Sequence, residues 1–161
     1  MTEQQNDTRQ RIVVGVDGSP SCREGLRWAV RQAELTGASV EAITAWSSPA
    51  MVVMGTPFTD ADAGGGDDSG IKVAAQNMLR AAITEAASQS PGVAVKAEVG
   101  EGSAARLLLD AAKGASMVVV GSRGHGGLTG TLLGSVGQTL SQHAPCPVLI
   151  IRGVEAGRSW A

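Results

Sequence analysis

The chain has no tyrosine and one phenylalanine; with three tryptophans, aromatic residues are about 2% of its 161 positions. The platforms on which single-stranded nucleic acid stacks are therefore nearly missing, and an adenine ring would have to be held by aliphatic walls. A basic excess is missing too. Thirteen Lys and Arg against fifteen Asp and Glu leave a formal net charge of −2, with no stripe to neutralise a phosphate backbone. Cysteine is scarce: Cys22 and Cys146 lack C-x-x-C spacing and a neighbouring histidine cluster, so they read as reduced thiols or core fillers rather than a disulfide. No apolar run approaches the ~20 residues of a membrane span, and residues 1–10 are polar and of mixed charge, unlike a secretory leader. The expectation is a cytoplasmic protein that binds neither nucleic acid nor membrane.

What is present is the material of one ordinary domain, 43% hydrophobic and large enough to bury a core without staples. Ile12-Val13-Val14-Gly15-Val16 is a β-branched run of the kind buried on both faces. Ser21-Cys-Arg-Glu24 has the form of a capping box, and Leu26, Ala29, Val30 and Ala33 continue at helical spacing to a stop at Gly37. A strand over Val40–Trp46 follows. Residues 47–70, with Pro49, Pro57, three consecutive glycines and four aspartates, predict a long flexible loop that is either disordered or a lid. Helical spacing returns over Ile71–Ser90, and Val93–Val99 alternates as a strand with one wet face at a sheet edge. Ser103 caps a helix whose stripe is Leu107, Leu108, Ala111 and Ala112. Met117–Val120 is another buried strand, residues 134–143 a last helix and Val148–Ile151 a fifth strand. The domain spans residues 11–152, between a flexible segment at 1–10 and a tail at 153–161. Repeated βα units predict an α/β fold, an open parallel sheet with helices on both faces.

Gly121-Ser122-Arg123-Gly124, then nine residues, then Gly134-Ser135 joins the fourth strand to the last helix. Such a loop frees backbone N–H groups for an anion at an electropositive helix start. Gly121, Gly124, Gly126, Gly127 and Gly134 would admit a triphosphate, and Ser122 and Ser135 would add hydroxyl donors. Arg123 and His125 face either a phosphate or solvent, and the bland alternative for the whole loop is a flexible turn. Asp17, one residue beyond the first apolar run, would accept from a ribose hydroxyl or adenine amino group, or else from backbone N–H groups in the turn before the helix.

The G-x-x-G-x9-G-S pattern resembles the ATP-binding signature of the universal stress protein family. Gly15-Val16-Asp17-Gly18-Ser19, Leu132-Leu133-Gly134-Ser135-Val136 and Pro145-Cys146-Pro147-Val148-Leu149 resemble other segments of that family in the right order. The resemblance covers roughly residues 11–152. It implies a Rossmann-like, adenine nucleotide alpha hydrolase-like sheet of order 3-2-1-4-5, with the ligand where the connections of the first and fourth strands diverge. It further implies ATP, with Mg2+ as the metal a triphosphate would bring. Asp17 would contact the nucleoside, Gly15 and Val16 would line the base through their backbone, Ala45 would be the adenine wall, and Val136 would pack beside the phosphates. A homodimer paired through Val148–Ile151 is implied as well.

Competing nucleotide motifs fail. The Walker form needs Gly-Lys-[Ser/Thr], and no lysine follows Lys113; a dinucleotide fingerprint needs glycine where Thr129 stands. Phosphoryl transfer needs metal ligands and an oriented nucleophile, and no acid pair or lysine lies near this loop. The expectation is an ATP-binding stress-response regulator or sensor rather than an enzyme. The alternatives are a cyclic-AMP-binding relative, a slow ATPase and a nucleotide-free interaction module.

Overall fold

Five strands and four helices alternate in the computed structural model, which describes residues 10–48, 68–122 and 133–153. The order is β1 (Arg11–Gly15), α1 (Pro20–Thr36), β2 (Ser39–Trp46), α2 (Asp68–Ala87), β3 (Val95–Glu101), α3 (Ala104–Ala112), β4 (Met117–Gly121), α4 (Ser135–His143) and β5 (Val148–Ile151). All strands are parallel in one sheet of order β3-β2-β1-β4-β5. The order expected from the family resemblance is the one observed.

The β-branched runs are central because both of their faces are covered. On one face Ile12, Val14, Val40, Ala42 and Val119 pack with Leu26, Ala29 and Val30 of α1 and Leu79 and Ala82 of α2. On the other, Val13, Ile43, Val118 and Val120 pack with Leu108 of α3 and Leu140 of α4. Neighbouring residues of one strand thus enter opposite cores, which is why β1 and β4 show no polar alternation.

Three boundaries differ from the sequence expectation. The capping box at Ser21 does not form. Ser19 is the N-cap, its Oγ accepting from Cys22 N–H at 3.4 Å, and Pro20 takes the first helical position, where its fixed φ and missing N–H cost nothing. The third strand runs Val95–Glu101 rather than Val93–Val99, because its limits are set by pairing with β2 from Val40↔Val95 to Trp46↔Glu101. Val93 instead closes a turn, its N–H donating to Ser90 O at 3.1 Å. The expected loop over 47–70 is shorter at its end: Asp68–Gly70 already belong to α2, and the Asp68 carboxylate accepts from Ser48 Oγ at 2.7 Å. Residues 49–67 lie outside the described residues, as do most of the expected N-terminal segment and tail.

At the end of the sheet where the strands begin, Arg11 ties three elements together. Its guanidinium pairs with the buried Glu41 of β2 and donates to Ala111 O and Lys113 O at 2.9 and 3.0 Å, carbonyls that the end of α3 leaves open. Lys96 of β3 reaches the same carboxylate at 3.1 Å. Burial alone would raise the Glu41 pKa, but hydrogen bonds from Arg11 and Lys96 outweigh it and hold the carboxyl below its ordinary 4.5. A depressed carboxylate stabilises the fold above its unfolded pKa, and that contribution is lost as pH falls through the folded one. Glu41→Gln should therefore cost about 1–2 kcal/mol at pH 7. In urea unfolding the gap from wild type should close as the buffer is taken from pH 7 to below 4.5; a gap that does not change with pH would contradict this account.

Candidate functional site

The strands of a parallel sheet all end on one edge, and a crevice opens there where the connections of β1 and β4 leave for opposite faces. It is lined by Gly15, Val16, Asp17 and Cys22 from β1 and the start of α1, Ile43 and Ala45 from β2, Ala104 and Leu108 from α3, Val120 and Gly121 from β4, and Val136 from α4. Six sequence-predicted residues meet in it: Gly15, Val16, Asp17, Ala45, Gly121 and Val136.

Asp17 does two things. Its Oδ1 accepts from Ser19 N–H at 2.8 Å, the turn that leads into α1, and its half-buried carboxylate also borders the crevice. The two sequence readings of this residue are therefore compatible. Val16 is fixed by its backbone, its N–H donating to Ile43 O and its C=O accepting from Thr44 Oγ1, both at 2.8 Å. Both bonds tie the crevice floor to β2.

At the β4 end, Ser122 donates its N–H to Ile151 O and accepts from Gly134 N–H, both at 2.8 Å. The two ends of the glycine-rich segment are thereby joined. Gly134 is the N-cap of α4, with φ −69 and ψ 165, a conformation open to any residue. Having no side chain, it supplies no cap to the first N–H groups of α4, and Ser135 behind it is exposed. Arg123, Gly124, His125, Gly126 and Gly127 lie outside the described residues.

Cys22, Ile43, Ala104, Leu108 and Val120 line the crevice without having been singled out. Two had a legible signal: Ile43 shares a face with Ala45 two residues on, and Val120 directly precedes Gly121. Cys22 is a free, buried thiol whose pKa burial pushes up, so it is neutral and a poor nucleophile. Cys146 is also free, half-buried, and packed in the core on the α3 and α4 face. Among the described residues, no group of three or more His, Cys, Asp and Glu is placed to hold a metal ion, and no helix is long and apolar enough to cross a membrane.

Comparison with known proteins places this arrangement. The model of the universal stress protein family matches residues 8–152. A universal stress protein of Mycolicibacterium smegmatis is 35% identical over an alignment of 155 residues that covers 92% of this chain and 50% of that protein. The chain spans about half the length of the curated relatives it matches. Among solved structures, a universal stress protein in complex with cAMP aligns at a TM-score of 0.56 with 24% identity, over 90% of this chain and 98% of the other. A universal stress protein from Archaeoglobus fulgidus in complex with dAMP aligns at 0.54 with 21% identity, over 88% and 97%. At these identities the two structures speak for the fold.

Gly121 has a structural duty apart from any ligand. A Cβ there would stand 2.3 Å from Ser21 Oγ and 3.0 Å from the backbone nitrogen of Cys22, so the start of α1 packs against the bare backbone. Gly121→Ala should destabilise the protein by about 1–3 kcal/mol. Thermal unfolding in nucleotide-free buffer should show that loss; an unchanged melting temperature would mean that α1 gives way freely.

Proposed function

Because this chain belongs to the universal stress protein family, we propose that the crevice at the ends of β1 and β4 binds ATP, and that occupancy rather than turnover is what the protein reports in a stress response. The observation carrying this reading is the division of the crevice into three chemically distinct parts. Val16, Ile43, Ala45 and Leu108 offer an aliphatic slot for a base, Asp17 offers a carboxylate for ribose hydroxyls, and the start of α4, without a side-chain cap, lies beside Val136 for phosphates. The glycine-rich segment between Ser122 and Gly134 would wrap the distal phosphates through Gly124, Gly126 and Gly127, with Ser122 and Ser135 as hydroxyl donors and Arg123 and His125 as countercharges.

Mg2+ would arrive with the triphosphate. Since the described residues form no carboxylate cage, its oxygens would come chiefly from the phosphates and water. Hydrolysis is not part of the reading, because among the described residues no acid pair lines the crevice. The edge strand β5, paired on one side with β4, is the surface through which a second copy would pair, with Pro145 and Pro147 limiting its extent.

A second reading, cyclic AMP, is favoured by the solved relative that holds it. The two ligands differ in what they leave unused: cyclic AMP has no β- and γ-phosphates to occupy Gly124–Gly127 and Ser135.

The test is to purify the protein without added nucleotide, denature it, and identify what is released per subunit. ATP near one per subunit is the expected result. ADP alone would indicate slow hydrolysis and cAMP the second reading; nothing released, together with no thermal shift on adding ATP, would leave an interaction module. Asp17→Asn keeps an oxygen for Ser19 N–H while removing the charge, so it should fold normally and weaken ATP by about tenfold in titration calorimetry.

A further inference from the structure

The crevice has an unequal distribution of chemistry. Its two polar side chains, Asp17 and Cys22, both stand on the β1 and α1 side, and the wall opposite comes from the first turns of α3 with Ala104 and Leu108. These residues are four apart, so they share one side of the helix. Ser103 fixes where that helix starts, its Oγ accepting from Arg106 N–H at 3.5 Å.

Two glycines determine how deeply α3 sits. A Cβ on Gly15 would come within 2.9 Å of Leu108 Cδ1 and 3.2 Å of Val120 Cγ1; one on Gly100 would come within 2.7 Å of Leu107 Cδ1. The adjacent leucines of α3 therefore sink into gaps that β1 and β3 leave open. Leu108 is 2% exposed, a fixed part of the floor, whereas Ala104 is half-buried at the mouth with one methyl group. Ala104 and the sheet residue Ala45 both line the crevice, each with a side chain of a single methyl group.

We propose that the first turn of α3 is the base-selecting wall of the crevice, with Ala104 the residue that sets the largest ring admitted, so that the site takes a purine in preference to a pyrimidine by fit rather than by hydrogen bonds from side chains. This rests on the nucleotide reading and adds to it the element that discriminates the base. Since α3 contributes only Ala104 and Leu108 to the lining among the described residues, discrimination on that side depends on apolar area and shape, and the bicyclic ring fills the slot where a single ring leaves part of it empty. A longer side chain at position 104 takes the space of the second ring and leaves the approach of ribose and phosphates alone.

The experiment titrates the full chain with ATP and with CTP, comparing wild type, Ala104→Val and Ala104→Leu, each first checked for an unchanged cooperative melt. Wild type should prefer ATP by about tenfold, the scale on which one or two methylenes count in an apolar pocket. The preference should fall stepwise through Ala104→Val to Ala104→Leu, with ATP affinity dropping at least about tenfold and CTP affinity by less than about threefold. Equal losses for both nucleotides, no loss at all, or a wild type that binds ATP and CTP alike would each overturn the assignment of α3. A wild type that binds neither would overturn the nucleotide reading itself, and this inference with it. Should Ala104→Leu fail to fold, the smaller Ala104→Val decides by the same ratio.

Discussion

The structure depends on one constraint: the central strands are covered by helices on both faces. Val13, Val14, Val118 and Val119 have no solvent exposure, and alternate residues of β1 and β4 go to different cores. The sheet is parallel and its strands are joined through helices, an arrangement that needs this double cover, so all its strands end on the same edge. The crevice is a product of this geometry, since the helices that follow β1 and β4 lie on opposite faces of the sheet and leave a space between them among the described residues. Ligand chemistry is then added to an opening that the packing has already made.

Glycine has two roles here that a sequence pattern does not separate. Gly121 opens the G-x-x-G pattern, yet its missing side chain is taken up by Ser21 and Cys22 at the start of α1. Gly15 borders the crevice while making room for Leu108. Gly134, by contrast, has an ordinary backbone conformation, and its effect is to leave the start of α4 without a side-chain cap. Removing a glycine from this region thus tests packing and binding together, whereas Asp17 and Ala104 allow binding to be probed with the packing left in place.

The sheet was legible because burial on two faces writes an unmistakable signal: the runs at residues 12–16, 117–120 and 148–151 contain little but β-branched and aliphatic residues, and Gly37 marks the end of α1 by its left-handed φ of 74. Legibility failed where burial did not constrain the chain. The edge strand β3 is largely exposed, and although Val95 and Val99 of its alternation pack against the core, its ends follow the pairing partner. At α1 two start signals overlap within three residues, and the proline at position 20 decides for the earlier one. For the crevice, Gly15, Val16, Asp17, Ala45, Gly121 and Val136 were read from the sequence and Ile43 and Val120 adjoin them, but Cys22, Ala104 and Leu108 were not read. The last two come from a helix whose own sequence signals only a buried stripe, and it takes the glycines of two other strands to bring them to the crevice.

Arg11 holds β1, Glu41 of β2 and the last carbonyls of α3 at the end of the sheet away from the crevice. The chain thus has a charged clasp at one pole and the crevice at the other. In evolutionary terms this is a separation of duties: loops at the open pole can change length and composition to suit a new ligand or partner while the clasp keeps α3 anchored. A helix fixed at its tail and free to vary at its tip lets a family change what it recognises while keeping its architecture.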